Sequence, residues 1–267
     1  MEERITEFPA TAEGLALLVK ELRKPYGCPW DRKQTRESLV RHFESECGEL
    51  IDAIEHNDAP HICEELGDVL MNVLFQVVIA EENGEFTLTD VWREIVDKMI
   101  RRHAHVFGDK HAENPEEVLQ IWQQIKAAER AEAGQVSTSA MDDVKHSLSA
   151  LTRAEKLQKK AAEFNFDWQD PVDIVSKIKE ETCEVEAALA QGDDDAVDEE
   201  LGDLLFAVVN LIRFRKRANS EELMRQANRK FESRFRRMEA HAAARGVEFN
   251  TLSADELNAV WDEVKHQ

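Results

Sequence analysis

A pattern of acidic residues occurs twice in this chain, and its repetition constrains the fold more than any other feature. In each copy two acids lie three residues apart. A second such pair begins 16 residues after the second acid of the first pair. The residues are Glu46, Glu49, Glu65 and Asp68 in the first copy, and Glu181, Glu184, Glu200 and Asp203 in the second. Both copies also contain Glu-Glu-Leu-Gly-Asp, at 64–68 and 199–203. Self-similarity at equal spacing indicates a tandem duplication.

Basic and aromatic residues repeat with the acids. Each half contains a basic pair spaced by four residues and, further on, a tryptophan followed four residues later by lysine. These residues are Lys98, Arg102, Trp122 and Lys126 in the first half, and Lys230, Arg234, Trp261 and Lys265 in the second. Helical periodicity is lost between the halves, where glycine and serine cluster. The sequence therefore predicts a first domain at 1–132, a linker at 133–150 and a second domain at 151–267.

Apolar residues recur at intervals of three and four residues through long stretches of the chain. One such stripe consists of Val197, Leu201, Leu204, Leu205, Val208 and Ile212. This spacing is that of one face of an α-helix. Short turn-prone segments at 56–60 and 191–195 interrupt the stripes, so the helices on either side should be antiparallel neighbours. We predict an all-α protein in which an antiparallel helical bundle is duplicated.

The spacing of the acids places them on common helical faces. Residues three apart on a helix have Cβ atoms roughly 5–6 Å apart, so Glu181 and Glu184 face the same way, as do Glu200 and Asp203. Four unpaired carboxylates repel one another unless a cation lies among them. Oxygen-only ligation favours Mg²⁺, or Mn²⁺, over Zn²⁺. The alternative is a set of solvated helix faces, which explains one Glu-x-x-Glu but not a two-helix set repeated at equal spacing.

The charge of the chain limits its partners. The net charge is −21, from 55 acidic and 34 basic residues. So negative a chain repels nucleic-acid phosphate and anionic membranes, and neither is an expected partner. The sequence has no run of about 18 apolar residues to span a membrane and no signal-peptide pattern. Its four cysteines lack Cys-x-x-Cys spacing and are interpreted as reduced thiols of a cytoplasmic protein.

Two motifs in the second half resemble those of a known family. Residues 180–184, Glu-Glu-Thr-Cys-Glu, followed by Glu-Leu-Gly-Asp at 200–203, resemble the Glu-Glu-x-x-Glu…Glu-x-x-Asp signature of the MazG nucleotide pyrophosphohydrolases. The likeness covers nearly the whole chain, although Ala104 stands where such members typically carry proline. The resemblance implies an all-α homodimer that uses metal to hydrolyse nucleoside triphosphates to the monophosphate and pyrophosphate. The implied catalytic residues are Glu180, Glu181, Glu184, Glu200 and Asp203.

A basic pair and a tryptophan near the end of the chain are candidates for nucleotide binding. Lys230 and Arg234 lie on one helical face and suit phosphate oxygens, although they could instead balance neighbouring acids. Trp261 could stack on a base or belong to the core. The resemblance favours nucleotide binding for all three residues. Their counterparts Lys98, Arg102 and Trp122 are the corresponding candidates in the first copy.

Three polar residues distinguish the second copy from the first. Lys177 lies one turn before the first acid and fits a phosphate ligand, and Asn210 lies on the helical face of Asp203. Glu180 is a candidate to take a proton from the attacking water, or else a group behind the metal ligands. The corresponding residues of the first copy are of other kinds: His42, Phe75 and Ser45. We therefore predict that the second copy is the main catalyst, while the first binds metal and has weaker or narrower activity.

Two other functions remain open at this point. The chain could be a non-catalytic metal- or nucleotide-sensing bundle that binds protein partners through its acidic faces. It could also be a specialised dUTP or dCTP pyrophosphatase. No base-reading pocket is visible in the sequence, so the expected specificity for the base is broad.

Overall fold

A computed structural model of the chain describes residues 5–132, 134 and 139–265. Within these ranges the regular structure is helical, with no β-strand. The α-helices are α1 (Ala12–Arg23), α2 (Val40–Glu55), α3 (Ala59–Glu82), α4 (Leu88–Arg102), α5 (Ala104–Phe107), α6 (Pro115–Glu132), α7 (Ala150–Ala162), α8 (Pro171–Gln191), α9 (Asp194–Arg215), α10 (Ser220–Ala244) and α11 (Ala254–Val264). Short 3-10 helices occupy Asp31–Lys33, Ala140–Asp143 and Phe249–Thr251. None of the described helices is both long and apolar enough to cross a membrane.

The chain divides into two compact units, residues 1–135 and 136–267. In the first unit, α3 packs against both α1 and α2. In the second unit, α9 packs in the same way against α7 and α8. The same three-helix arrangement thus occurs in each half, at the positions of the sequence repeat. The predicted all-α tandem duplication is confirmed.

The predicted linker at 133–150 lies partly outside the described residues, which omit 133 and 135–138. Its remaining part includes the 3-10 helix Ala140–Asp143, and Val144 is buried. The boundaries 132 and 151 stay a prediction.

Tight turns join the helices that carry the acids. Gly192 ends α8 with a left-handed backbone (φ 69°), and the Asp193 side chain caps α9 by accepting from a backbone N–H of its first turn. In the first unit Asn57 takes the left-handed position (φ 55°) and Asp58 caps α3 in the same way. Glycine and asparagine tolerate this backbone better than other residues. The turns reverse the chain, so the two acid-bearing helices of each unit lie side by side.

The two units build their buried clusters differently. In the first unit Val19 of α1, Leu39, and Phe75, Val78 and Ile79 of α3 form one buried cluster. In the second unit a buried cluster lies between α10 and α11, formed by Met238, Val260 and Val264. A buried aromatic therefore fills the α1–α3 contact of the first unit, and this difference bears on the site described below.

Candidate active site

Three carboxylates meet where α8 packs against α9. Glu181 and Glu184 lie one turn apart on α8, and Glu200 lies on α9; each places one oxygen within 4.8 Å of the others. Glu181 is buried, Glu200 is half-buried and Glu184 is exposed, so the group is open to solvent on one side. Three carboxylates so close together are able to hold a metal ion.

Burial and mutual repulsion in this group both act on the pKa of Glu184. Removal from water, a hydrogen bond with Glu181 and the negative charges of Glu181 and Glu200 raise the pKa of the Glu184 carboxyl. Removal from water and like charges both disfavour the ionised form. A divalent cation among the three would favour the ionised form and so offset both effects, and an all-oxygen donor set suits a hard ion. The residues present thus fit a metal ion of the magnesium type.

Lys177, one turn before Glu181, balances part of this charge. Its Nζ atom lies 2.6 Å from an oxygen of Glu181 and 2.8 Å from an oxygen of Glu180. The hydrogen bond to Glu180, and then that to Glu181, raises the pKa of Lys177 above its usual value, so the amine stays charged. Glu180 itself is exposed and stands outside the three-carboxylate group. Lys177 therefore links the candidate proton acceptor to the candidate metal ligands.

The first unit contains the matching group, built from Glu46 and Glu49 of α2 and Glu65 of α3. Removal from water, followed by the charges of Glu49, Asp68 and Glu65, raises the pKa of Glu46. Here the buried acid is Glu65 on the second helix of the pair, and one of its oxygens lies 2.9 Å from Nε2 of His61. The other oxygen of Glu65 is buried without a hydrogen-bond partner. Both copies thus assemble three carboxylates, but a different member is buried in each.

The fourth acid of each set, Asp68 or Asp203, lies outside the three-carboxylate group. Asp203 instead lines a cavity next to it. Metal ligation by these two residues stays a prediction.

A cavity of about 760 Å³ adjoins the carboxylates of the second unit. Four of the residues singled out in the sequence line it together: Lys177, Glu181, Asp203 and Asn210. Apolar side chains cover much of the remaining wall, among them Leu157, Trp168, Ile174 and Phe206. The cavity therefore has a charged region, which contains candidate metal and phosphate ligands, next to an apolar region.

Two amide side chains in the cavity wall have fixed orientations. The Oδ1 atom of Asn210 accepts a hydrogen bond of 2.7 Å from Arg213, which also pairs with Asp167. The hydrogen bond from Arg213 lowers the pKa of Asp167. The Nε2 atom of Gln158 donates to the backbone carbonyl of Phe206 at 2.8 Å. The Oε1 atom of Gln158 is buried and has no partner.

Sequence reasoning assigned no binding or catalytic role to several of the cavity residues: Gln158, Asp167, Trp168 and Arg213. One signal was available on α9, where Asp203, Phe206, Asn210 and Arg213 follow one another at intervals of three, four and three residues. That spacing places all four on one helical face. A second signal was Gln158, a polar residue on a face of α7 otherwise made of Ala154, Leu157 and Ala161.

Lys230, Arg234 and Trp261 do not line this cavity. The guanidinium of Arg234 lies 5.6 Å from the ring centroid of Trp261, within the range of a cation–π contact. The Trp261 ring also lies 5.6 Å from the ring of Phe231 and packs on the buried cluster between α10 and α11. The structure brings Arg234 and Trp261 together, but not with the acids of the same chain's cavity. Nucleotide binding by these three residues stays a prediction.

The corresponding residues of the first unit make other contacts. Arg102 pairs with Glu129 of α6 at 2.8 Å, and Arg102 and Arg101 together lower the pKa of Glu129 to about 2. Trp122 packs edge-on against His103, with ring centroids 5.1 Å apart. Lys98 is half-buried on α4. Arg102 is thus already engaged in holding α4 to α6.

The three positions at which the copies differ also diverge in structure. Phe75 takes the place of Asn210 and is buried in the core, at 3% exposure. His42 takes the place of Lys177 and packs edge-on against Trp30. Ser45 takes the place of Glu180, and its hydroxyl donates to Glu49 at 3.0 Å. The first unit therefore has an aromatic core side chain where the second has a polar cavity wall.

Comparison with known proteins identifies the family. The MazG nucleotide pyrophosphohydrolase domain matches residues 34–107 and 169–238, one stretch in each unit. The nucleoside triphosphate pyrophosphohydrolase of Escherichia coli is 44% identical over 95% of this chain and 96% of its own length. The nucleoside triphosphate pyrophosphohydrolase/pyrophosphatase MazG of Thermotoga maritima is 41% identical over 95% of each chain. A crystal structure of a mazG-related protein from Thermotoga maritima covers 43% of this chain and 98% of its own, with 28% identity and a TM-score of 0.38. The chain therefore belongs to the MazG nucleotide pyrophosphohydrolase family.

Proposed function

We propose that the second unit hydrolyses nucleoside triphosphates to the monophosphate and pyrophosphate, with Mg²⁺ or Mn²⁺ as cofactor. Membership of the family makes the chain a hydrolase of phosphorus-containing anhydrides, and the relatives named above are nucleoside triphosphate pyrophosphohydrolases. The observation that carries the finer proposal is the cavity beside the three carboxylates. Its volume of about 760 Å³ lies within the roughly 300–1,000 Å³ of small-molecule sites.

The metal ligands of the proposed site are Glu181, Glu184 and Glu200, with Asp203 as a fourth. Bound Mg²⁺ would supply charge neutralisation of the triphosphate and activation of water for attack at the α-phosphorus, with pyrophosphate leaving. The carboxylates hold this charge in place because they sit on two packed helices. Rigid placement of reacting groups lowers the barrier without further reorganisation.

Lys177 and Glu180 supply charge and proton handling in this proposal. The Lys177 amine, kept protonated by the two glutamates, can contact a phosphate oxygen when the triphosphate competes for it. Glu180 is solvent-exposed and lies 2.8 Å from the Lys177 amine, so it is placed to accept the proton of the attacking water. In the first copy Ser45 and His42 stand at these positions, which is why we assign it the weaker activity.

Homodimer formation would account for the residues that stand apart from the cavity. Lys230, Arg234 and Trp261 do not line the cavity of their own chain, so their predicted role in nucleotide binding needs a second chain or a rearrangement. Several large apolar side chains of α9 and α10 are exposed and would be covered in such a dimer: Leu201, Leu205, Phe206, Val208, Phe231 and Phe235.

The four cysteines carry free thiols, in keeping with a cytoplasmic protein.

Product analysis tests this proposal. The full chain, with Mg²⁺, should convert nucleoside triphosphates to equimolar monophosphate and pyrophosphate, and a chelator should stop the reaction. Orthophosphate and diphosphate as first products would place attack at the γ-phosphorus and contradict the proposal. A chain that binds nucleotide without forming product would instead be the sensing bundle, and turnover confined to dUTP or dCTP would make it the base-specific enzyme.

A further inference from the structure

We infer that the first unit holds a divalent cation in the absence of nucleotide, and that it does so more tightly than the second unit. The ligands are Glu46, Glu49 and Glu65, and His61 is the residue that positions Glu65. This inference rests on the metal-binding part of the proposed function and gives the two units different metal affinities. The ligand chemistry is a hard divalent cation such as Mg²⁺ or Mn²⁺, because all three ligands are carboxylates.

Glu65 has a carboxylate oxygen that nothing in the described chain satisfies. The residue is only 5% exposed, its Oε1 atom lies 2.9 Å from Nε2 of His61, and its Oε2 atom is buried without a hydrogen-bond partner. Buried polar atoms are normally paired, and a buried charge without a partner is unfavourable. The ionised carboxylates of Glu46 and Glu49 only accept hydrogen bonds and so cannot pair with it. A cation among the three satisfies all of them, and Glu49 is exposed, so the cluster is open to solvent on one side.

His61 fixes the orientation of the Glu65 carboxylate. It lies one turn before Glu65 on α3, where its backbone N–H donates to the side chain of Asp58 at 3.3 Å. An ionised carboxylate only accepts, so the imidazole donates to Oε1 and leaves Oε2 for the ion. Hydrogen bonds of this kind orient metal ligands, and their loss typically lowers metal affinity by about 10–100-fold. The second unit has Ala196 at this position, capped in the same way, and an alanine side chain has no donor to offer Glu200.

The second unit already has a positive charge beside its cluster. The Nζ atom of Lys177 lies 2.6 Å from an oxygen of Glu181, the buried carboxylate of that unit. A metal ion that enters without nucleotide meets this ammonium at close range, and like charges repel. In the first unit His42 stands at the position of Lys177, and its ring packs against Trp30 with centroids 5.4 Å apart. None of the described lysines or arginines forms an ion pair with a carboxylate of the first cluster, which is therefore the stronger site for a free cation.

This difference gives the metal ions of the two units different roles. The ion of the first unit is resident: it lies between α2 and α3 and offsets the mutual repulsion of the three acids. The second unit takes up its metal together with the triphosphate, whose phosphate oxygens compete for Lys177 and release Glu181. The resident ion thus stabilises the fold, while the second ion enters and leaves with substrate and product.

Titration of the full chain with Mn²⁺ tests the inference. The protein is freed of metal with a chelator, and free Mn²⁺ is followed by electron paramagnetic resonance in the absence of nucleotide. We expect a tight class of sites and a second class about tenfold weaker or more. Glu46→Ala with Glu49→Ala should remove the tight class, whereas Glu181→Ala with Glu184→Ala should leave it. A single affinity for both units, or a tight class that survives the first double substitution, would overturn the inference.

Pyrophosphate release from ATP, measured on the same samples, separates this result from the proposed function. A wild-type chain that releases pyrophosphate but has no tight class of Mn²⁺ sites overturns the inference and leaves the proposed function intact. A wild-type chain that has the tight class in its first unit but releases no pyrophosphate contradicts the proposed hydrolysis and supports the resident ion.

Substitution of His61 tests its positioning role. His61→Ala should weaken the tight class by about 10–100-fold. His61→Gln should restore much of the affinity, because the Nε2 atom of glutamine also donates. The matched control is His56→Ala, since His56 is also exposed but its ring contacts the backbone carbonyl of Asp52, at 2.7 Å, and should leave the titration unchanged. Unchanged affinity in His61→Ala, or equal losses with alanine and glutamine, would contradict the role of His61.

Removal of the ammonium from the second unit should increase its affinity for free metal. Lys177→Met keeps the length of the side chain without the charge, so the weaker class of Mn²⁺ sites should approach the tight class. Lys179→Met is the matched control, because Lys179 lies on the same helix and is exposed, and it should leave both classes unchanged. If Lys177→Met does not tighten the weaker class, the ammonium is not what separates the two units and the inference fails.

Discussion

At the scale of single residues, the two copies neutralise their buried carboxylate by different means. Glu181, the buried acid of the second copy, pairs with Lys177, whose amine is charged throughout the physiological range. Glu65, the buried acid of the first copy, pairs with the imidazole of His61, which is exposed. A lysine amine that is always charged can turn from the carboxylate to a phosphate oxygen. A histidine can do so as a cation only when it is protonated. This residue-level difference accounts for the unequal chemistry that we propose for the copies.

Removal of one charge from the cluster should have opposite effects on stability and activity. In Glu184→Gln one source of repulsion is lost, because the raised pKa of Glu184 reports unfavourable ionisation in the folded state. The metal-free variant should therefore melt at a temperature equal to or above that of the wild type. Its turnover should fall by orders of magnitude, and added Mg²⁺ should raise its melting temperature less than that of the wild type. Calorimetry with and without Mg²⁺ measures the melting temperatures, and an assay of pyrophosphate release measures the turnover.

Glu186→Gln is the matched control for Glu184→Gln. Glu186 lies on the same helix, is exposed and stands outside the carboxylate group. It should behave like the wild type in all three respects. If Glu184→Gln lowers the melting temperature of the metal-free protein, the carboxylates are not repelling one another and the metal-site assignment loses its physical basis.

A second residue-level prediction concerns the ion pairs between α4 and α6. Arg102 and Arg101 hold the pKa of Glu129 at about 2, against a usual value of 4.5. The depressed pKa stabilises the fold above about pH 4.5, and the benefit is lost as the pH falls toward 2. Glu129→Gln should therefore lower the melting temperature of the first unit near pH 7, by a modest amount because the ion pairs are partly exposed to solvent. As the pH falls from 7 to 2, the melting temperature of the variant should approach that of the wild type. A difference in melting temperature that stays constant across this range would contradict the assignment.

At the scale of helices, the acid-bearing pairs depend on how tightly their turns reverse the chain. Gly192 adopts φ 69°, and no atom lies within 4 Å of the place where a Cβ would be. A substitution there is therefore strained by backbone conformation and not by contact. The first unit uses Asn57 at φ 55° in the same role. The two turns are different solutions to one conformational requirement.

Gly192→Ala should destabilise the second unit through its backbone alone. A left-handed conformation costs a residue with a Cβ about 1 kcal/mol, which corresponds to a loss of several degrees in melting temperature for a unit of this size. Gly192→Asn should cost less, because asparagine tolerates this region, as Asn57 does. Thermal unfolding of the two variants gives the comparison. Equal losses for alanine and asparagine would show that something other than φ governs the turn.

The sequence predicted the helices better than it predicted the cavity, for a physical reason. Apolar periodicity and turn residues are local, so α8, α9 and the reversal at Gly192 could be predicted from the chain alone. The convergence of Glu181, Glu184 and Glu200 followed from helical spacing and that reversal. The cavity depends on how α7 packs on α9. Gln158, for example, is oriented by a hydrogen bond to the backbone carbonyl of Phe206, which is 48 residues away in the sequence. No local pattern specifies such a contact.

At the scale of the whole molecule, both copies contain the carboxylate cluster, but the residues around it differ. Both units hold three carboxylates within 4.8 Å, which is the part of the site that spacing alone specifies. The residues around the cluster have diverged: Lys177, Glu180 and Asn210 in the second unit correspond to His42, Ser45 and Phe75 in the first. We therefore propose that both units bind metal, while turnover is concentrated in the second.

Paired deletions of the acids test this division. Glu181→Ala with Glu184→Ala should abolish most pyrophosphate release, whereas Glu46→Ala with Glu49→Ala should leave most of it. The second unit combines its cluster with Lys177, Glu180 and a cavity. Positioning of reacting groups of this kind supplies several kcal/mol of barrier lowering, where each ~1.4 kcal/mol is tenfold in rate. Both double variants should lose part of the stabilisation that Mg²⁺ gives the wild-type chain, since each removes two ligands of one cluster. Titration of Mg²⁺ by calorimetry, run beside the activity assay, separates the two effects. If the Glu46–Glu49 variant is the inactive one, the ligands are assigned to the right clusters but the catalytic unit is the first, and the roles proposed for Lys177, Glu180 and Asn210 fail together.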